Sequence, residues 1–164
     1  MQKVTSNVIY KVFVYGTLKS GQPNNNLLSD PRNGKGTFIG SGKTVTKYPL
    51  IIGTRYNIPF LLYKPGTGHN VFGEIYEVDQ AMLEKLDELE DHPNWYIREI
   101  DDIQILNSDL SDSSAQSTMK CWVYFLKTFR PDLLELPTFP CYDSGGDHGL
   151  RYCESNNEAT PDDL

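Results

Sequence analysis

The chain is poor in the features that staple, anchor or charge a protein for a large partner. Its three cysteines, Cys121, Cys141 and Cys153, form no Cys-x-x-Cys pair and leave an odd one over, which argues against a disulfide scaffold and for reduced thiols. Its three histidines, His69, His92 and His148, lie far apart with no two-turn helical pair, so no metal is expected. Basic residues are outnumbered, 15 Lys and Arg against 22 Asp and Glu, for a formal charge of −7. A surface without a cationic excess does not hold a nucleic-acid backbone or an anionic membrane. No run approaches the ~20 apolar residues of a membrane span, and the first ten residues lack the apolar stretch of a signal peptide. These absences together predict a soluble, cytoplasmic protein, and a monomer is expected.

What is present is aromatic and strand-like. Ten tyrosines and seven phenylalanines in 164 residues suit pleated, half-buried surfaces and walled pockets, and the length fits one domain with a substantial core. Period-two alternation predicts strands over 8–15, 36–46, 71–78, 96–106 and 119–127, with shorter ones at 50–52 and 60–63. Helical signals are few: a turn after Pro23, a helix over 79–90, and a brief one opened by Pro131. The class is therefore α+β, a β core with one principal helix. Residues 107–118, almost wholly Ser, Asp, Asn and Gln, read as an exposed hairpin loop. Residues 1–153 read as a single domain, and 154–164, with four acidic and no basic residues, as a disordered tail.

Two segments carry chemistry. Val12-Phe13-Val14-Tyr15-Gly16-Thr17-Leu18 runs an alternating strand into a turn, and Gly21-Gln22-Pro23-Asn24 follows. Such a turn aims backbone N–H groups into one small space, a place for an anion or an oxyanion. In the helix, at about 100° per residue, Met82, Leu83, Leu86 and Leu89 form one stripe; Glu90 falls inside it, Glu84 and Glu88 fall opposite, and Asp87 lies at its edge. A carboxyl in an apolar wall loses hydration and gains proton affinity, as a general acid and base near neutral pH requires; a frayed helix end that leaves Glu90 at the rim beside solvent is the other reading of the same periodicity. Gly40-Ser41-Gly42-Lys43-Thr44 imitates the end of a phosphate-binding loop, but the required first glycine is Thr37 and no helix can open after it.

Four separated elements resemble the gamma-glutamyl cyclotransferase superfamily (AIG2-like), most closely its gamma-glutamylamine branch. They are Tyr15-Gly16-Thr17-Leu18-Lys19 with Gly21-Gln22-Pro23-Asn24; Tyr48-Pro49-Leu50 with Asn57-Ile58-Pro59-Phe60; Leu86-Asp87-Glu88-Leu89-Glu90; and Tyr142-Asp143-Ser144 with His148-Gly149-Leu150-Arg151-Tyr152. Gly146-Asp147 departs from the Gly-Pro of that branch, and residues 142–152 read as either a packed strap or a flap. The resemblance implies a small, partly closed mixed β-barrel with the turn and a catalytic glutamate at its mouth. It implies that Glu90 is that glutamate, that Tyr15, Gly16, Thr17 and Leu18 bind substrate, and that no cofactor takes part. The implied reaction is attack of a γ-glutamyl α-amine on its own γ-carbonyl, giving 5-oxoproline and a free amine. The implied substrates are γ-glutamylamines such as L-γ-glutamyl-ε-lysine from transglutaminase crosslinks. Glutathione or other γ-glutamyl compounds, or a non-catalytic binding module on the same fold, are the alternatives.

Overall fold

Alternation between two buried environments, read strand by strand, explains how this chain closes on itself. The computed structural model describes residues 8–53, 58–106, 117–146 and 148–149. The expected tail 154–164 and most of the loop 107–118 lie outside them. The elements in chain order are β1 (Tyr10–Val14), α1 (Asn26–Ser29), β2 (Gly36–Thr44), β3 (Leu50–Gly53), β4 (Ile58–Leu61), β5 (Phe72–Val78), α2 (Gln80–Leu89), β6 (Tyr96–Leu106), β7 (Thr118–Leu126) and a 3-10 turn, Pro131–Glu135. Each expected strand is present, with ends displaced by a few residues at most, and the loop-like 40–44 segment is simply part of β2.

Five strands form a closed barrel in the order β1-β5-β2-β6-β7, while β3 and β4 make a separate antiparallel pair. Barrel neighbours are antiparallel except where β7 returns to β1 in parallel, at Val12 and Trp122. Closure leaves the barrel without a free edge. Phe13, Ile75, Ile103, Cys121, Val123 and Phe125 pack in one buried cluster that draws on four of the five barrel strands. The alternate residues Val12, Val14, Tyr76, Val78, Tyr124 and Leu126 pack in a second, with Met82, Leu83 and Leu86 of α2. Period two thus sends one set to the barrel interior and the other to the layer under the helix. The β3–β4 pair is wholly buried and feeds both layers, Leu50 and Leu61 to the first, Ile51 and Phe60 to the second. Among the described residues no helix is long and apolar enough to cross a membrane.

The interior is filled by pairing bulky side chains with absent ones. A Cβ at Gly73 would lie 2.6 Å from the Phe13 ring and 2.4 Å from the Val14 carbonyl, and one at Gly42 would lie 2.7 Å from Ile103. Overpacking of this kind costs about 1–3 kcal/mol. Gly73→Ala is therefore expected to lower the urea midpoint of unfolding by a corresponding amount; an unchanged midpoint would show that β1 and β5 can part there without cost.

Candidate active site

The barrel rim at the end of β1 carries the turn singled out by sequence. Tyr15, Gly16 and Leu18 are buried and Thr17 is half-buried. Leu18 packs in the helix-side layer, so it can offer a ligand only its backbone. The Gly-Gln-Pro-Asn segment braces the turn from behind. Asn24 donates its amide to Thr17 Oγ1 (2.9 Å) and its N–H to the Thr17 carbonyl (2.8 Å), and Asn25 donates to the Leu18 carbonyl (2.9 Å). These bonds use the oxygens of the turn. Among the described residues none accepts a hydrogen bond from the N–H of Gly16, Thr17 or Leu18. Gly16 is required by a close approach: a Cβ there would meet Pro59 Cγ at 2.8 Å. Pro59 lies within β4, and its carbonyl accepts from Tyr96 Oη at 3.0 Å.

Helix α2 delivers Glu90 to the same rim. Asp79 caps its start by accepting from the Met82 N–H (2.9 Å). Its end is closed by Asp91 at φ 51°, a left-handed conformation that Asp tolerates better than most residues. This lets the Asp91 N–H reach the Glu88 carbonyl (3.2 Å) and the His92 N–H reach the Asp87 carbonyl (2.9 Å), the paired bonds of a Schellman stop. Glu90 is the C-cap, its own N–H held by the Leu86 carbonyl at 2.9 Å. Glu84 and Glu88 are exposed, as the periodicity requires, and Glu90 and Asp87 are half-buried.

The electrostatics separate the two half-buried carboxyls. Burial pushes Glu90 up to about 8, and the Asp87 charge adds to the rise. Burial would also raise Asp87, but hydrogen bonds from Arg98 and Tyr124 and the Arg98 charge outweigh it and hold Asp87 below its ordinary value. Burial raises the phenols of Tyr15 and Tyr124, and the nearby Glu90 charge raises both further. Tyr15 Oη donates to the Tyr124 carbonyl at 2.6 Å. A carboxyl of raised proton affinity thus stands beside a turn whose N–H groups have no acceptor among the described residues.

The structure brings Glu90 and Tyr15–Leu18, the residues expected from sequence, to one rim. The sequence leaves Asp87 at the edge of the stripe and does not single out Arg98 or Tyr124, because their meeting depends on strand pairing. Among the described residues no group of three or more His, Cys, Asp or Glu side chains converges to hold a metal. Cys121 is buried, its thiol pushed by burial up to about 12; exposed Cys141 receives Lys19 Nζ at 3.2 Å. Residues 139–144 form a packed strap: Phe139 N–H donates to the Leu50 carbonyl (2.9 Å), Phe72 N–H to the Pro140 carbonyl (2.8 Å), and Tyr142 is buried in the barrel layer. Gln22 joins this strap to the turn through Asp143 Oδ1 (3.2 Å) and the Ser144 N–H (2.8 Å). Asp147 and residues 150–152 lie outside the described residues.

A family model described as gamma-glutamyl cyclotransferase, AIG2-like, matches residues 12–143. The chain is 47% identical over 146 residues to a gamma-glutamylaminecyclotransferase of Mus musculus, covering 89% of this chain and 97% of the relative. It is 44% identical over 149 residues to a Homo sapiens protein of the same description, again covering 89% and 97%. A crystal structure of an AIG2-like protein from Mus musculus matches with a TM-score of 0.81 at 46% identity, covering 88% of this chain and 95% of that one.

The Glu90 environment has a consequence for stability. A carboxyl raised from 4.5 unfolded to about 8 folded binds more protons in the native state between those values, so its contribution to stability is full below 4.5 and is lost as pH rises through 8. Glu90→Gln, which mimics the neutral acid, is expected to match the parent in urea unfolding at pH 4 and to exceed it increasingly up to pH 9. A difference independent of pH would mean that Glu90 is solvated.

Proposed function

The chain belongs to the gamma-glutamyl cyclotransferase, AIG2-like family, and from that premise we propose that this cyclotransferase converts γ-glutamylamines to 5-oxoproline and the free amine. The observation that carries the reading is Glu90: a carboxyl whose proton affinity is raised to about 8, at the rim that also bears the turn Tyr15–Leu18. The substrate tethers nucleophile to electrophile, so the enzyme supplies no nucleophile; it holds the folded-back conformer and moves a proton.

Glu90 as carboxylate takes a proton from the α-ammonium, and the freed amine attacks the γ-carbonyl carbon. The C–N bond to the departing amine breaks as Glu90 returns the proton to that nitrogen, and the same carboxylate then carries the second proton from the attacking nitrogen, leaving a neutral lactam and the amine as its ammonium. One group serves both steps because its proton affinity lies near neutrality. The backbone N–H groups of Gly16, Thr17 and Leu18 face the negative charge of the substrate, either the oxyanion formed on the γ-carbonyl or the α-carboxylate. No cofactor enters, since no electrons change hands and no water is consumed. L-γ-Glutamyl-ε-lysine, the remnant of an isopeptide crosslink, is the substrate this reading favours, in a cytoplasmic degradation step. The names of the mouse and human relatives support the amine branch.

Mass-spectrometric detection of 5-oxoproline from L-γ-glutamyl-ε-lysine, γ-glutamylalanine and glutathione tests the proposal. The lysine compound is expected to turn over preferentially. Glu90→Gln is expected to lose at least ~100-fold in kcat, and Gly16→Val, which drives the turn off Pro59, about a hundredfold while staying folded. Preference for glutathione would reassign the substrate, and no turnover of any compound would favour a binding module.

A further inference from the structure

One half-buried ionic cluster beside Glu90 has no part in the proton transfers just described. Asp87 lies one helical turn before Glu90 on α2, and both of its carboxylate oxygens are engaged. Oδ1 accepts from Tyr124 Oη at 2.6 Å and from Arg98 Nε at 2.7 Å, and Oδ2 accepts from Arg98 Nη2 at 3.0 Å. The Arg98 guanidinium lies over the Trp122 ring, 4.4 Å from its centroid, so the fork is held in plane against β7. The Asp87 carbonyl meanwhile accepts the His92 N–H of the helix stop, and His92 Nδ1 receives the Arg98 N–H at 3.3 Å. A two-point guanidinium fork fixes orientation as well as charge.

The cluster joins the parts that have to meet in the reaction. Asp87 belongs to α2, Arg98 to β6 and Tyr124 to β7, and the Tyr124 carbonyl holds Tyr15 Oη at the end of β1. A chain of short hydrogen bonds therefore runs from the helix that carries Glu90 to the residue that opens the substrate turn. We propose that Asp87 is a positioning residue for Glu90: gripped by Arg98 and Tyr124, it fixes the last turn of α2 on the barrel and presents a lasting negative charge one turn from the Glu90 carboxyl.

This inference rests on Glu90 being the acid and base of the reaction. The groups that face Glu90 are Tyr15 from the turn after β1, Tyr124 from β7 and Asp87 from its own helix; Arg98 from β6 and His92 from the helix stop face Asp87 in turn. Both phenols are raised and stay neutral, and Arg98 is raised by its bonds to Asp87 and stays cationic. Against that background Asp87 keeps its charge while Glu90 takes up a proton. The proton is then on hand for the departing nitrogen at the pH where the substrate amine is being released.

The test is an NMR titration of the Glu90 and Asp87 carboxyl carbons in the full chain, with kcat and KM measured against pH for Asp87→Asn and Asp87→Glu. In the unsubstituted protein Asp87 is expected to remain ionised across the range in which Glu90 protonates. Asp87→Asn is expected to move the Glu90 titration and the acidic limb of kcat to lower pH and to cut kcat several-fold with KM little changed. Asp87→Glu, which restores the charge, is expected to return the titration towards its original position; a merely structural role would favour the isosteric Asn instead. The inference is overturned if Asp87 titrates with or above Glu90, if the Glu90 titration stays in place in Asp87→Asn, or if Asn and Glu behave alike. The first of these outcomes needs no variant, so it decides the matter even if Asp87→Asn does not fold. Absence of turnover by the unsubstituted protein would sink the functional reading instead, while the two titrations would still test the clamp.

Discussion

A carboxyl taken out of water costs folding free energy whenever it is charged, and the rim of this barrel is organised around one such group. Glu90 sits where α2 ends against the layer of Val12, Val14, Tyr124 and Leu126. Its proton affinity follows from that placement, burial first and the neighbouring Asp87 charge second. The surrounding structure meets the cost by apolar packing of Met82, Leu83 and Leu86, so the helix stays docked although its last residue is a carboxylic acid. The same desolvation that weakens the fold at high pH suits the group to the proposed proton transfers.

The opposite wall of the site is shaped by close approach. Gly16 lets the β1 turn lie on Pro59 of β4, and Asn24 and Asn25 occupy the turn's oxygens, leaving its N–H groups directed elsewhere. Gln22 ties that turn to the strap at Asp143 and Ser144. The Gly-Gln-Pro-Asn segment is thus a brace, and its side chains act through the turn they support. A substrate that already contains its nucleophile needs only such a rigid, charge-complementary pocket and one proton carrier.

Much of this was legible in the chain because it is local. Alternation placed the strands, since each reports its two faces every second residue. Helical periodicity places Glu90 inside the apolar stripe and Glu84 and Glu88 opposite it, and the latter two are exposed. What was not legible depends on partners remote in sequence or on backbone geometry. Arg98 reaches Asp87 from eleven residues away and Tyr124 from 37, and neither pairing has a local signature. Pro59 sits opposite Ile52 in the β3–β4 pair, a register that no local pattern announces. The left-handed Asp91 that closes α2 has no glycine to announce it.

In the proposed mechanism the ring closes by internal attack, with Glu90 moving protons and water excluded from the bond-making steps. The decisive experiment runs the reaction on L-γ-glutamyl-ε-lysine in water enriched with oxygen-18. Each lysine released is expected to be matched by one 5-oxoproline without the heavy isotope. Glutamate carrying oxygen-18 in its γ-carboxyl would contradict the mechanism, since that product requires water, not the tethered amine, as the nucleophile.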